Sequence, residues 1–373
     1  MNRTFAMLSC FMCLNVMSFS KTLCLNDGGP VITGHITGFK DSTVIFLTNL
    51  AEQKVYDSAL IINNEFVLHG PLLDEPIVLF LEAGDLWASI LIGNDRVRVE
   101  GDISDFPWNL RITGSKTEDE NQILKALTKN LSSRSDEFTA QYVKASEDEK
   151  KVIADSMSRI DSERHAIQVT FIREYPNTYA AAMTLASIRN SNKLSKEEVL
   201  ALFDLMNREI KESKFGQIVQ KYLETNVAKV GEAFTDFEAV DQKDKVMKLS
   251  GVKGKYILLD FTASYCVPCR HSAEELREIN TEYKDVLTIV SISADVSKDV
   301  WLKSLKRDKV SWLSLWDGKG STGGAVLKYN ASQLPTYVLI DANGKIIDKW
   351  RGYSTGSLKG RLKKFNKAGL SKS

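Results

Sequence analysis

The first hundred or so positions alternate between short apolar runs and polar breaks. VITGHIT, TVIFLT, KVYDSALI, EFVLHG, PIVLFLEA, ASILIG, RVRVEG and NLRITG follow one another between about residues 21 and 114. They are rich in β-branched residues and separated by turn signals such as Asn63-Asn64 and Gly93-Asn94. A period of two broken in this way predicts an antiparallel β-sandwich or barrel. His35 and His69 lie within or at the ends of these strands with no carboxylate or cysteine pattern around them, and they read as surface or edge residues.

After Ser115 the period changes. Val199, Leu200, Leu202, Phe203 and Met206 recur at helical spacing, and Ser195 with Glu198 forms a capping box. Pro176 and the Asn-Ser-Asn around Asn192 divide residues 115–229 into several helices. SEDEKK reads as a solvated helix start. The region is expected to be a helical connector, with a partner-binding surface as the alternative.

From Val230 onward strand and helix alternate. KYILLDF and LTIVSISA are buried strands, the segment after Cys266 is a helix to about Tyr283, and VWLKSLKRD is a further helix. TYVLID and KIIDKW form a hairpin around Asn343-Gly344, and SLKGRLKKF closes as a basic amphipathic helix. This order predicts an α/β sandwich over residues 230–373.

Composition narrows what such a chain can do. At 373 residues two or three domains are expected, and a net charge of +1 points to neither a nucleic-acid surface nor a polybasic membrane patch. Function must come from a local site. The N-terminus reads as an export signal over residues 1–20: Arg3 supplies charge, FAMLSCFMCLNVMSF the apolar core, and Ser18 and Ser20 the small residues before cleavage. That run is shorter than about 18 residues and contains Asn15, which argues against an integral membrane span. Cys24 raises a lipoprotein alternative, against which Lys21 stands where an aliphatic residue belongs. Of five cysteines, Cys10 and Cys13 leave with the signal, so an exported chain keeps Cys24, Cys266 and Cys269. A disulfide-stabilised secreted protein would carry more of them, more widely spaced.

The remaining pair sits in FTASYCVPCR, between a buried strand and a helix. Free N–H groups and the helix dipole at that end stabilise a thiolate on Cys266, making it the nucleophile. Cys269, one turn on and expected to be more buried, can resolve a mixed disulfide. Pro268 is tolerated because the first helical turn does not need its N–H. A zinc site would need two further ligands, and although His271 follows closely there is no second pair. A structural disulfide in so small a ring would contribute little loop-closure stabilisation.

With Asp260 and the segment QLPTYVLIDANGK, this region resembles the thioredoxin superfamily, most closely exported thiol-disulfide oxidoreductases of the TlpA and ResA type. The resemblance implies that Pro335 follows a cis peptide bond and faces the cysteines, and that the Leu334 backbone binds substrate. It also implies that Asp260 is a buried acid able to take the Cys269 proton. Tyr265, Val267 and Pro268 would flank the substrate. Departures from the pattern are Tyr265 for tryptophan, Val267 for glycine or a charged residue, Glu274 for the helix-kinking proline, and Ser272 for the ResA glutamate. The whole layout resembles a class of Gram-negative envelope proteins. It implies a periplasmic or cell-envelope enzyme that reduces disulfides of exported proteins, uses no cofactor or metal, and draws electrons from a membrane thiol donor. A non-enzymatic scaffold is the competing reading. A thiol peroxidase is disfavoured by Ala263, where that chemistry places threonine or serine.

Overall fold

A computed structural model of the chain describes residues 28–191 and 193–365. The segment expected to be an export signal and Cys24 lie outside the described residues.

Eight strands open the fold: β1 (Val31–Thr37), β2 (Thr43–Asn49), β3 (Lys54–Ile61), β4 (Glu65–His69), β5 (Ile77–Ala83), β6 (Leu86–Ile92), β7 (Arg96–Asp102) and β8 (Arg111–Thr113). They form two four-stranded sheets, ordered β4-β1-β7-β8 and β3-β2-β5-β6. Ile32, Ile36, Ile45, Leu47, Leu79, Leu81, Ile90 and Val97 meet in a common core, which is what the alternating pattern demands. The sheets do not close into a barrel, and β1 pairs in parallel with β7 where antiparallel pairing alone was expected. Alternation specifies which residues face inward and is silent about strand direction. Asn63 and Asn64 both adopt positive φ, at 52° and 67°, as the tight β3–β4 turn requires. His35 does have an acidic neighbour, Glu65, at 3.9 Å, on an exposed part of the sheet.

Six helices follow: α1 (Lys116–Lys144), α2 (Glu147–Glu174), α3 (Tyr179–Ile188), α4 (Lys196–Asp204), α5 (Arg208–Glu212) and α6 (Lys214–Glu224). The Ser195–Glu198 box caps α4 as the sequence predicts. These helices are more than a connector. Phe171, Leu185, Val199, Leu202 and Val219 build a core that also takes in Leu91 from β6 and packs against Leu327, beyond the helical region.

The last part is a seven-stranded sheet ordered β10-β9-β13-β12-β11-β14-β15. Its strands are β9 (Glu238–Asp241), β10 (Val246–Lys248), β11 (Tyr256–Thr262), β12 (Leu287–Ser293), β13 (Leu313–Trp316), β14 (Thr336–Ile340) and β15 (Ile346–Arg351). Its helices are α7 (Val267–Glu282), α8 (Lys298–Arg307), α9 (Gly324–Lys328) and α10 (Ser357–Phe365). β11, β12 and β13 run parallel, while β14 pairs antiparallel with β11 and β15 pairs antiparallel with β14 at the sheet edge. One sheet face packs around Leu259, Phe261, Val290 and Val338, the other around Leu258, Leu276, Ile279 and Tyr337.

Candidate active site

The carboxyl end of β11 runs through a short loop into α7, and both cysteines lie at that junction. Cys266 is the N-cap of α7: its sulfur accepts the Cys269 N–H at 3.2 Å, and its own N–H donates to the Ala263 carbonyl at 3.1 Å. Sulfur therefore fills the cap position usually taken by an oxygen acceptor. Pro268 occupies the first helical turn. Cys266 and Cys269 are joined as a disulfide, with Cα atoms 5.2 Å apart. The expected difference in burial is slight, since Cys266 is 7% and Cys269 5% exposed. Tyr265 and Val267, by contrast, are 57% and 54% exposed and form an apolar rim beside the sulfurs.

The Leu334–Pro335 peptide bond is cis, and Pro335 is buried at the entry to β14, whose Thr336 pairs with Phe261 of β11. Leu334 packs against the same core cluster that holds both cysteines. A cleft of about 480 Å³ opens beside Val267, lined by Arg270, His271 and Glu274 on α7 and by Arg307 and Lys309 opposite.

Asp260 lies on the sheet face that α7 covers. It alternates with Leu259 and Phe261, so its side chain is on the sheet face opposite theirs, between its cross-strand neighbours Ser291 and Tyr337. Its Oδ2 accepts the Ser291 hydroxyl at 2.7 Å, and that hydroxyl accepts the Trp312 indole N–H at 2.8 Å. Among the described residues its Oδ1 has no hydrogen-bond partner. Burial outweighs the Ser291 bond and pushes the carboxyl up to about 6. Ser272, in place of the ResA glutamate, is fully buried on α7 and donates to the Cys269 carbonyl at 2.9 Å.

Sequence reasoning missed a second buried acid. Asp295, just beyond β12, accepts the Ser264 N–H at 3.1–3.2 Å and the hydroxyls of Ser264 and Ser293 at 2.6 and 2.8 Å. The available signal was an aspartate closing a run of otherwise buried strand residues, a pattern that does not name its partners. Among the described residues, no group of three or more histidine, cysteine or acidic side chains is arranged to hold a metal ion.

A thioredoxin-like family model matches residues 254–346, which span β11, α7 and the Pro335 turn. The C-terminal part of the chain is a thioredoxin-like domain. A second model, a domain of unknown function (DUF4369), matches residues 31–121. Thiol-disulfide oxidoreductase ResA of Bacillus thuringiensis subsp. konkukian is 28% identical over 127 residues, which cover 34% of this chain and 72% of that protein. Thioredoxin-like protein YneN of Bacillus subtilis is 29% identical over 121 residues, covering 32% and 69%. Two solved structures are also similar. The thioredoxin domain of a Bacteroides vulgatus thiol-disulfide oxidoreductase has 29% identity, coverage of 37% of this chain and 97% of that one, and a TM-score of 0.34. A Bacteroides fragilis thiol-disulfide oxidoreductase has 28% identity, coverage of 36% and 99%, and a TM-score of 0.33. By its sequence relatives the chain is an enzyme of the thiol-disulfide oxidoreductase class. Among the described residues no helix is long and apolar enough to cross a membrane.

Proposed function

We propose that the protein reduces disulfides of exported proteins by dithiol–disulfide exchange at Cys266 and Cys269, in the periplasm or cell envelope. The Cys266 thiolate attacks one substrate sulfur, the substrate S–S bond breaks, and the departing sulfur takes up a proton. Cys269 then gives up its proton and attacks the Cys266 sulfur, which releases the second substrate thiol and leaves the Cys266–Cys269 disulfide. Two electrons pass from the dithiol to the substrate, and a membrane thiol donor restores them. Asp260 is the proposed acceptor of the Cys269 proton, its raised pKa matching it to a proton that moves near neutrality. Asp260 is on the sheet face that α7 covers, and the proposed proton route passes Ser272, which bonds the Cys269 carbonyl. Leu334 and Pro335 hold an extended substrate strand, and Tyr265, Val267 and Pro268 contact its flanks.

The observation that carries this reading is a disulfide at a helix N-cap, in the core cluster against which Leu334, the residue before the cis proline, packs. In the same proposal the mature chain divides into a β-domain at 21–114, a helical segment at 115–229 and a thioredoxin-like domain at 230–373, after a signal at 1–20.

Equilibrium of the pair against glutathione or dithiothreitol buffers tests it. A reduction potential near or below about −230 mV is expected for a reductant, and one near −120 mV would make the protein an oxidant instead. Cys266→Ser is expected to abolish reduction of a model protein disulfide. Cys269→Ser is expected to trap the mixed disulfide on Cys266. A pair that never forms a reversible disulfide would leave the scaffold reading in its place.

A further inference from the structure

The β2–β3 hairpin of the N-terminal domain reaches the redox loop. Its tip carries Gln53, whose side chain is inserted between β12 and α8 of the thioredoxin-like domain. The Gln53 amide N–H donates to Asp295 Oδ1 at 2.7 Å and lies 3.4 Å from the Ser264 hydroxyl. Its carbonyl oxygen accepts the backbone N–H groups of Val296 and Ser297 at 3.2 and 3.1 Å. Both ends of one amide are thus used across the domain boundary, a match that a chance surface contact rarely supplies.

The hairpin is built to hold this residue still. Asn49 is buried; its Oδ1 accepts the Glu52 N–H at 3.1 Å and its amide donates to the Tyr56 hydroxyl at 2.8 Å. That hydroxyl donates onward to Glu52 at 2.9 Å, and Gln53 itself sits at φ 53°. Glycine is the residue such a backbone favours, and the glutamine here spends its side chain on contacts across the domain boundary.

Asp295 is 1% exposed. Its oxygens accept from Gln53, from the Ser264 backbone and hydroxyl, and from the Ser293 hydroxyl, the pattern of a charged carboxylate solvated by protein donors. Ser264 precedes Cys266 by two residues, which span at most about 7 Å. A carboxylate bonded to this loop opposes formation of a thiolate, and each hydrogen-bond donor that screens it eases that formation. Tyr265, between the two, feels the same charge. Burial first and Asp295 second raise its phenol above the ordinary value, although much of the ring is open to solvent.

We infer that Gln53 is a positioning residue of the redox centre: the β-domain uses it to tie down Asp295 and the loop before Cys266, and so sets how readily Cys266 becomes a thiolate. This rests on Cys266 being the attacking thiol. It gives the N-terminal domain a part in the chemistry, by completing from outside a loop that the thioredoxin-like domain leaves one donor short.

The test is the rate of iodoacetamide alkylation of Cys266 in the reduced full-length protein at pH 7, read by peptide mass spectrometry, alongside the reduction potential of the pair. Gln53→Gly suits the turn backbone and deletes the amide. It is expected to slow alkylation about fivefold, the worth of one hydrogen bond, and to make the pair more reducing. Gln53→Glu keeps the shape and places a second carboxylate against Asp295, so it should slow the reaction further. Asn190→Ala, which removes the Asn190–Ser332 contact between the helical segment and the thioredoxin-like domain, should leave the rate unchanged. Arg270 and His271, the nearby basic residues of α7, are identical in all three variants. Unsubstituted rates in both Gln53 variants would overturn the inference. Equal slowing by Asn190→Ala would overturn it too, by tracing the effect to loosened docking. Absence of any reversible disulfide in the unsubstituted protein would overturn the redox reading itself, and this inference with it.

Discussion

Asp260 is a buried acid with one oxygen bonded and the other not, and that imbalance has a measurable consequence. Its carboxyl is pushed from 3.8 to about 6, chiefly by burial. Between those values the unfolded chain releases the proton and the folded chain keeps it, so stability falls as pH rises through this window. The span corresponds to about 3 kcal/mol, present in full below pH 4 and lost once the folded group ionises. Asp260→Asn is expected to remove that slope, so that its stability relative to the parent rises by about 3 kcal/mol between pH 4 and pH 8, while slowing resolution by Cys269. Urea denaturation at pH 4 and pH 8 checks this, and identical pH dependence in variant and parent would refute it. Cys266, Cys269, Pro335 and Asp260 were legible because each belongs to a local pattern of strand, turn and helix start. Asp295 and Gln53 were not, since they meet across 242 positions and nothing local marks either as the other's partner.

At the scale of elements, Glu118 is the buried centre of the contact between α1 and the β-domain. Glu118, fully buried, accepts the Leu91 N–H of β6 at 2.8 Å, the Asn121 amide at 3.0 Å and the Lys125 ammonium at 2.7 Å. Lys125 in turn donates to the Ser89 carbonyl at 2.7 Å. Replacing a satisfied buried carboxylate leaves its donors stranded, so Glu118→Ala is expected to cost about 3–5 kcal/mol in chemical denaturation. A loss under about 1 kcal/mol would show that water replaces it freely. Long, strongly patterned elements such as β5, β11 and α7 could be read from the chain. β9, β10, β13 and α9 could not: at three to five residues each, they are too short for a period to register and are set by the neighbours they pair with. The parallel pairing of β1 with β7 escaped for a related reason, as direction is a property of the connection and not of the strand.

At the scale of the whole molecule, three units are joined by contacts that cross every boundary. Arg351 of β15 donates to the carbonyls of Asn190, in the helical segment, and Asn330, both at 3.3 Å. The Ala228 N–H reaches the Lys328 carbonyl at 2.9 Å, and the helical core includes Leu91 and packs against Leu327. One cooperative thermal transition is therefore expected for the full chain, and Arg351→Met is expected to broaden or split it in calorimetry. A parent that already melts in separate steps would contradict this coupling. The domain order was readable because composition changes at about residues 115 and 230, whereas the docking was hidden because it depends on surfaces rather than periods. The Gln53 contact also puts the parts in a sequence of time. A chain made from its N-terminus completes the hairpin tip 211 positions before Ser264 exists, and domains tend to fold in the order they emerge. The β-domain can thus be waiting, folded, when the cysteines arrive. A newly made chain would then pass through an interval in which both thiols are present and Cys266 is at its least reactive, and would leave that interval only when the first and last thirds of the molecule meet.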